Sequence, residues 1–323
     1  MTASEHEFAA GPPQGETAPS GGSAAHAVAS VGATFQVAIV GVGNMGGAMA
    51  AHLLEQGWPV HVCDLDQAKA RSFEAFGALV HVKPAHAAIN SIAVVVCVVD
   101  ARQTQEVLFG AQGVADAMQP GQVVMLCPTI APEHTEDFAR RLGERGIHTI
   151  DAPMSGGPAR ARDGSMSLMV ACPDAVFGRH GALIAALSTQ VFRISERVGD
   201  GARTKLVNNL LAGINLVGAA EVMVMAQRMG LDLGRTLDVI EQSSGQSWIG
   251  SDRMRRAIAR DYAPRAHMTL LEKDTRLAVE AAQAAGFAGP LGASARDVFA
   301  SASAAGLDGL DDAALFKWLG RPD

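Results

Sequence analysis

The chain is poor in aromatic and charged residues, and this narrows the range of partners to expect. Aromatic residues make up 5% of its 323 residues and charged residues 18%, with a formal net charge of −7. Because no long basic block occurs, a nucleic-acid or anionic-lipid partner is disfavoured. Hydrophobic residues make up 48% of the chain, yet the longest apolar runs are shorter than a membrane span. We therefore expect no membrane partner, and the length favours two domains.

Cysteine is also scarce, and no metal-binding pattern is present. The four cysteines are widely spaced and form no C-x-x-C motif; they are Cys63, Cys97, Cys127 and Cys172. This usage indicates reduced core thiols in a reducing compartment, so we expect a cytoplasmic location. The ten histidines show no metal-ligand spacing, and no metal site is expected.

The N-terminal segment lacks both basic residues and hydrophobic periodicity. Residues 1–34 are rich in Ala, Gly, Ser and Pro, and no Lys or Arg precedes Lys69. This composition argues against the basic start of a signal peptide and against an Arg-rich transit peptide. We predict that residues 1–34 form a disordered tail outside the fold.

Two different patterns follow this tail. Short apolar runs predict strands over residues 35–40, 59–63, 78–82, 92–99, 122–127, 147–150, 165–172 and 189–195. Helical periodicity then predicts helices over residues 202–229, 233–243, 247–260, 267–285, 290–303 and 311–318. Strands that alternate with amphipathic stretches indicate an α/β fold with a doubly wound, mainly parallel sheet of the Rossmann type. We therefore predict a Rossmann domain over 35–199 and an all-helical domain over 200–320.

A glycine-rich turn joins the first predicted strand to the first helix. Its sequence is G-x-G-x-x-G, formed by Gly41, Val42, Gly43, Asn44, Met45 and Gly46. In this motif the glycines permit a tight turn, close approach of a pyrophosphate and close packing of helix on strand. The helix N-terminus then offers free N–H groups to the phosphates. Although glycine is common here, the position in the first βαβ unit predicts a dinucleotide site.

An acidic residue at the end of the second strand bears on the choice of cofactor. Asp64 lies 18 residues after Gly46, where an acid accepts hydrogen bonds from the adenosine ribose hydroxyls. A 2′-phosphate at ~4 Å from this carboxylate would be repelled by about 4 kcal/mol at an effective dielectric near 20. The next residue is Leu65, and no arginine occurs before Arg71. We expect NAD rather than NADP.

Further motifs resemble a known family. They are Thr129-Ile130-Ala131-Pro132, Asp151-Ala152-Pro153-Met154-Ser155-Gly156-Gly157, Gly199-Asp200-Gly201 with Lys205 and Asn208-Asn209, and Lys273-Asp274. Together with the glycine loop, they resemble the β-hydroxyacid dehydrogenase family over about residues 35–320, in order and with family-like spacing. The resemblance implies an oxidoreductase that acts on a CH–OH group with NAD(P). It also implies a helical domain like that of 6-phosphogluconate dehydrogenase, and a homodimer or homotetramer formed through that domain.

The resemblance assigns Lys205 as the catalytic lysine. Lys205 and Asn209 are four residues apart on one predicted helix, so their side chains share a face. A lysine can accept a hydroxyl proton if its pKa falls from about 10.4 towards 7–8. The helix dipole contributes at most ~1 kcal/mol in the second turn, so desolvation must supply most of this shift.

Other site residues follow from the same resemblance. Ser155, with the N–H groups of Gly156 and Gly157, is expected to bind a substrate carboxylate, and Asn209 to orient the substrate hydroxyl. Lys273 is expected beside the nicotinamide and the substrate. The cofactor is also expected to contact three loop residues after strands, namely Val99, Asp100 and Thr129. Many members carry Leu-Pro where this chain has Val99-Asp100.

The substrate stays open between three choices. Segments 98–104, 191–195 and 261–265 resemble the L-threonate dehydrogenase branch, while Asn208-Asn209 resembles the 3-hydroxyisobutyrate type. The ranking is L-threonate or a related aldonate, then 3-hydroxyisobutyrate, then tartronate semialdehyde or D-glycerate. A phosphorylated sugar acid lacks an obvious Arg-rich partner segment. A non-catalytic NAD-binding homologue and an imine reductase are rivals, but both replace the lysine found here at Lys205.

Overall fold

The computed structural model describes residues 36–321. The tail predicted over residues 1–34 lies outside the described residues. Within the described part, an α/β domain is followed by a domain built from helices. The change occurs between the last strand, which ends at Ser195, and the long helix that begins at Asp200.

Nine strands form one sheet in the described chain. They are β1 (Gln36–Val40), β2 (Val60–Cys63), β3 (Leu79–His81), β4 (Ser91–Val96), β5 (Val123–Leu126), β6 (His148–Asp151), β7 (Met154–Ser155), β8 (Ser167–Ala171) and β9 (Gln190–Ser195). Their order is β3-β2-β1-β4-β5-β6-β8-β7, with β9 paired to β8. The pairs of β6 and β7 with β8 are antiparallel, and the other pairs are parallel. This confirms the expected mainly parallel sheet.

Helices cover both faces of the sheet. They are α1 (Asn44–Glu55), α2 (Gln67–Arg71), α3 (Pro84–Ala88), α4 (Ala101–Phe109), α5 (Pro132–Gly143), α6 (Gly157–Arg162), α7 (Asp174–Arg179) and α8 (Gly181–Leu187). Each face of the sheet carries its own apolar core. Residues Ala93 to Val96 of β4 are 0% exposed, which explains why this strand is apolar throughout rather than alternating.

The second domain is wrapped around one long helix. Its helices are α9 (Asp200–Arg228), α10 (Leu233–Glu241), α11 (Trp248–Ile258), α12 (Met268–Ala284), α13 (Pro290–Ala302) and α14 (Leu315–Leu319). Leu216, Ala220 and Met223 of α9 are fully buried in a third core with Leu237 and Phe299. The rows of apolar residues that predict these helices therefore mark the sides that face this core.

By length and composition, α9 could span a membrane. Uninterrupted apolar runs do not reveal this, because polar residues divide the helix sequence at Asn208, Asn209, Asn215 and Glu221. The central helix of a water-soluble domain meets the same criterion. Here α9 contributes buried side chains to the core of the second domain, as such a central helix does.

Candidate active site

The glycine loop has the geometry that a dinucleotide requires. Gly41 has φ +92°, and a Cβ there would lie 2.7 Å from the carbonyl oxygen of Cys97. A Cβ on Gly46 would lie 1.9 Å from the Gly41 oxygen, so helix and strand meet at a distance that only glycine permits. Among the described residues, no atom lies within 4 Å of a Cβ built on Gly43, so the space beside it is open.

The N-terminus of α1 is free to bind an anion. Its N-cap, Gly43, provides no side-chain hydrogen bond, and the first turn contains no acidic residue. The unpaired N–H groups and the helix dipole thus point into the open space where a pyrophosphate would lie. The residues present therefore fit a dinucleotide. Asn44, the first residue of α1, also contacts the helical domain. Its side-chain amide donates to the Arg265 carbonyl oxygen at 3.2 Å.

Asp64 lies beside this loop, as the sequence predicts. One carboxylate oxygen accepts the N–H of Val42 at 2.7 Å and the other accepts the N–H of Asp66 at 2.8 Å. These bonds fix the carboxylate at the end of β2, and each oxygen keeps a further lone pair for a ribose hydroxyl. Leu65 is 97% exposed, so it offers no cation to a phosphate at this edge.

Lys205 is buried in a polar cluster at the base of the helical domain. Lys205, Asn209 and Asp274 are 7%, 8% and 6% exposed. Asn209 donates from its side-chain amide to Asp274 Oδ2 at 2.6 Å, and Asn208 donates to Asn209 Oδ1 at 3.0 Å. Lys273 Nζ donates to Asp274 Oδ1 at 2.7 Å. Asp274 therefore joins α9 to α12 at the position of the lysine.

Burial lowers the pKa of Lys205 from 10.5 to about 8. Loss of solvent is the largest cause, the Lys273 charge lowers the pKa further, and the Asp274 carboxylate opposes both by favouring the ammonium form. This agrees in size and cause with the pKa shift predicted from the sequence. An amine with such a pKa exchanges a proton readily near neutral pH.

A carboxylate of the sheet holds the first turn of α9 in place. Asp151, at the end of β6, accepts hydrogen bonds from the N–H groups of Gly199 at 2.8 Å and Ala202 at 3.0 Å. Burial raises the pKa of this carboxyl to about 6, although the backbone N–H groups act in the opposite direction. Since a Cβ on Gly201 would lie 2.9 Å from the Asp151 carboxyl carbon, glycine lets the acid fit beneath the helix. Asp151 thereby helps to set the position of Lys205 relative to the sheet.

A cleft between the domains brings three predicted residues together. It has a volume of about 630 Å³, and Asp100, Thr129 and Lys273 are among its lining residues. Lys273 Nζ also donates to the Thr129 carbonyl oxygen. Asp100 caps α4, because its carboxylate accepts the Gln103 N–H at 2.8 Å, and the Val99 N–H binds the Gln103 side chain at 3.0 Å. These bonds give the Val-Asp sequence a local structural role.

Comparison with known proteins identifies this arrangement. The family model described as the NAD binding domain of 6-phosphogluconate dehydrogenase matches residues 36–195. The model described as NAD-binding of NADP-dependent 3-hydroxyisobutyrate dehydrogenase matches residues 199–319. The chain belongs to the 3-hydroxyisobutyrate dehydrogenase-like family. It is accordingly an NAD(P)-dependent hydroxyacid dehydrogenase that acts on a CH–OH group, and the family, fold class and enzyme class expected from the sequence are confirmed.

Individual relatives carry different substrate names. An L-threonate dehydrogenase of Cupriavidus necator is 37% identical over 87% of this chain and 95% of its own length. A 3-hydroxyisobutyrate dehydrogenase of Pseudomonas aeruginosa is 33% identical over 87% of this chain and 97% of its own. A crystal structure from Salmonella typhimurium, described as 3-hydroxyisobutyrate dehydrogenase, superposes with TM-score 0.83 at 35% identity, covering 88% of this chain and 99% of that one. The names of these relatives share the class of small hydroxy acids and differ in the individual acid.

In this hydroxyacid dehydrogenase the predicted carboxylate loop lies on the Rossmann domain, whereas the lysine cluster is formed by α9 and α12. Ser155 ends β7, and the turn that follows has φ +121° at Gly156 and +75° at Gly157. Within residues 36–321, no side-chain hydrogen bond joins Ser155 to Lys205 or Asn209. Close to the turn, the guanidinium of Arg160 lies over the ring of Trp248 in the helical domain.

Two residues of the candidate site belong to the family-like motifs, but the sequence predicts no role for them. Asp274 contacts both Asn209 and Lys273, and Asp151 holds the start of α9. For Asp151 the signal was a carboxylate among mainly apolar neighbours, which is costly to bury unless it is hydrogen-bonded. Asp274 lies in the charged segment 272–276 and carries no such signal. Sequence alone does not give the partner of either carboxylate.

Proposed function

We propose that this enzyme oxidises a small β-hydroxy acid with NAD, and that Lys205 is its general acid and base. The observation that carries the proposal is a buried lysine with a pKa of about 8 that lies beside a buried asparagine and carboxylate. A solvated helix lysine would have neither the burial nor the shift. The bound nicotinamide would accept the hydride from the carbinol carbon.

The residues would divide the chemistry as follows. Neutral Lys205 Nζ accepts the hydroxyl proton as the carbinol carbon loses its hydride, and in reduction the ammonium returns that proton. Asp274 stabilises the ammonium form through its charge, while its hydrogen bond holds the Asn209 side chain in place. Asn209 orients the substrate hydroxyl, and Lys273 lies across the cleft at Thr129. The Ser155 turn binds the carboxylate.

Among substrates, we rank L-threonate or a related aldonate first. The motif segments described above favour that branch, and the 37% identical relative carries that name. The second candidate is 3-hydroxyisobutyrate, which is supported by Asn208-Asn209 and by the exposed ring of Trp248 as an apolar contact. The third is tartronate semialdehyde, reduced to D-glycerate. The Ser155 turn and Lys205 suit an acid whose reacting hydroxyl lies on the carbon beyond the α-carbon.

NAD is the preferred cofactor in this proposal. The Asp64 carboxylate is fixed by two backbone N–H groups, so it is unable to turn away from an adenosine 2′-phosphate without losing both bonds. The neighbouring side chain, Leu65, offers no compensating charge. One of the matching family models is named for an NADP-dependent enzyme. The proposed preference of this chain for NAD over NADP therefore depends on Asp64.

The same helix that carries Lys205 also supports a homodimer or homotetramer. Val207, Leu211, Val222 and Met225 lie on one side of α9, Met229 follows at its C-cap, and all five are 40% to 72% exposed. Apolar side chains in a row of this kind mark a surface that a second copy would cover. The reducing, cytoplasmic compartment suggested by the four free cysteines remains a prediction.

The proposal is tested with a panel of acids and both cofactors. NADH and NADPH formation are followed at alkaline pH with L-threonate, 3-hydroxyisobutyrate and D-glycerate. We expect the highest kcat/KM with L-threonate and NAD. Lys205→Ala should lower kcat by roughly 10²–10⁴, the usual share of general acid–base catalysis, with unchanged NAD binding. The exposed Lys317 provides the control, Lys317→Ala. Inactivity on every acid, or near-normal turnover by Lys205→Ala, would contradict the proposal.

A further inference from the structure

An arginine lies directly against the predicted carboxylate loop. Arg160 is on α6, the helix that begins at Gly157 immediately after the turn. Its aliphatic stem crosses the turn, because a Cβ on Gly156 would lie 2.8 Å from Arg160 Cδ and 3.2 Å from Arg160 Cβ. Glycine at this position therefore makes room for the arginine stem as well as permitting the φ of +121°.

The guanidinium of Arg160 reaches the other domain. It lies over the ring of Trp248, the first residue of α11, at 5.5 Å from the ring centroid. Among residues 36–321 it forms no ion pair, in contrast to Arg162 on the same helix, which pairs with Glu55. A guanidinium that stacks on an aromatic face keeps its in-plane N–H groups free for a carboxylate.

The substrate's charge needs such a partner. Arg160 is exposed and Trp248 is 50% exposed, so a carboxylate bound there keeps part of its hydration, and a positively charged hydrogen-bond donor still favours its binding. Lys205 has to be neutral to accept a proton in oxidation, and it is the more easily deprotonated because its pKa is about 8. Lys273 is already bonded to Asp274 and to the Thr129 carbonyl. Arg160 keeps its charge near neutral pH, and within residues 36–321 it has no ion-pair partner that would compete with the substrate.

We propose that Arg160 binds the substrate carboxylate above the Ser155–Gly157 turn, with Trp248 holding the guanidinium in place. The turn supplies neutral donors, and the arginine supplies the charge and a planar pair of N–H groups. Because the ring belongs to the helical domain and the arginine to the Rossmann domain, the bound carboxylate lies where the two domains meet. The inference rests on the proposed hydroxy-acid substrate class and deepens it.

The kinetic test compares a charged substrate with an uncharged one. Arg160→Gln, Arg160→Lys and the matched control Arg162→Gln are assayed on the best acid of the panel and on its amide. For Arg160→Gln we expect the KM of the acid to rise roughly tenfold to hundredfold, since hydrogen bonds to charged groups contribute that much. kcat should change less than the KM, the amide should be affected little, and Arg160→Lys should recover part of the loss. Equal losses on acid and amide, or no loss relative to Arg162→Gln, would overturn the assignment.

A binding test separates this inference from the choice of substrate. Malonate carries a carboxylate two bonds from its second polar carbon, as a 3-hydroxy acid does, and it contains no hydroxyl to oxidise. Titration calorimetry on the enzyme with NAD should show tighter malonate binding to the wild type and to Arg162→Gln than to Arg160→Gln. If the wild type oxidises none of the acids, the proposed function fails while this titration still decides the role of Arg160. Malonate binding that is absent, or equal in all three proteins, refutes it.

Discussion

Replacing Asp274 by asparagine should move the pH dependence of catalysis towards acid. In the folded enzyme the Asp274 carboxylate favours the ammonium form of Lys205, while burial and the Lys273 charge oppose it. A unit charge at ~5 Å contributes about 3 kcal/mol at an effective dielectric near 20, which equals ~2 pKa units. Without this charge, the pKa of Lys205 should fall below its present value of about 8. The neutral base would then form at lower pH.

The assay is the pH profile of kcat in both directions. Oxidation needs the neutral amine, so its rate should rise through pH about 8 in the wild type and about two units lower in Asp274→Asn. Reduction needs the ammonium, so its rate should fall as the pH rises through the pKa of Lys205. In the variant this fall should begin at a lower pH than in the wild type. The maximum should drop as well, because Asn209 and Lys273 donate to different oxygens of Asp274, and asparagine replaces one of these acceptors with an NH2 donor. The midpoint is therefore the quantity to compare.

A matched control is available on the surface. Asp297 is exposed and pairs with its neighbour Arg296, so Asp297→Asn removes the same charge away from the site and should leave both midpoints in place. If the Asp274→Asn midpoint stays near the wild-type value, or moves to higher pH, the carboxylate does not set the pKa of Lys205. The assignment of Lys205 as the titrating group would then be wrong.

Two further predictions concern the cofactor and the assembly. Asp64→Ser with Leu65→Arg removes a fixed negative charge and adds a cation, so the ratio of kcat/KM for NAD over NADP should drop at least tenfold; a wild type that already prefers NADP contradicts the reasoning. Leu211→Glu places a charge in the exposed apolar row of α9, and light scattering should report a smaller assembly than for the wild type or for Ile89→Glu on the Rossmann domain; an unchanged mass excludes this row as the interface.

Much of the fold could be predicted because its signals are local. Buried parallel strands leave uninterrupted apolar runs, as in β4, and helices that cover a core leave a period near 3.6. The glycine loop is equally local, because the turn, the close helix and the open space all depend on residues within one βαβ unit. The lysine pKa shift could be anticipated in direction and cause from burial alone.

Short or terminal elements were harder to predict. The two-residue strand Met154–Ser155 is too brief to leave a period, and it pairs antiparallel with β8. A single helix is predicted over 311–318, whereas the structure has a 3₁₀ turn at Asp312–Ala314 followed by α14. The Asp311 carboxylate accepts the Ala313 N–H at 3.1 Å and starts that turn, a competition of side chain with backbone that periodicity does not reveal.

Partners far apart in the chain could not be read from the sequence. Asp274 and Asn209 are 65 residues apart, and Asp151 and Gly199 are 48 apart. The contact of Arg160 with Trp248 joins two domains. Each pair depends on how α9 and the sheet are placed in space, which no spacing rule supplies. The sequence could therefore identify the residue types of the site but not the bonds between them.

The helix α9 connects the sheet, the candidate site and the core of the second domain. Its first turn is held by Asp151 from the sheet, its second and third turns carry Lys205 and Asn209, and its middle enters the core through Leu216. The remaining side carries the exposed apolar row, which includes Val207 between the two proposed site residues. Different sides of the helix thus face the sheet, the candidate site and the core, and one side carries the exposed apolar row. For this reason its sequence lacks a single apolar stripe. A second copy packed on that row would contact α9 beside Lys205, on a side that the residues described, 36–321, leave exposed.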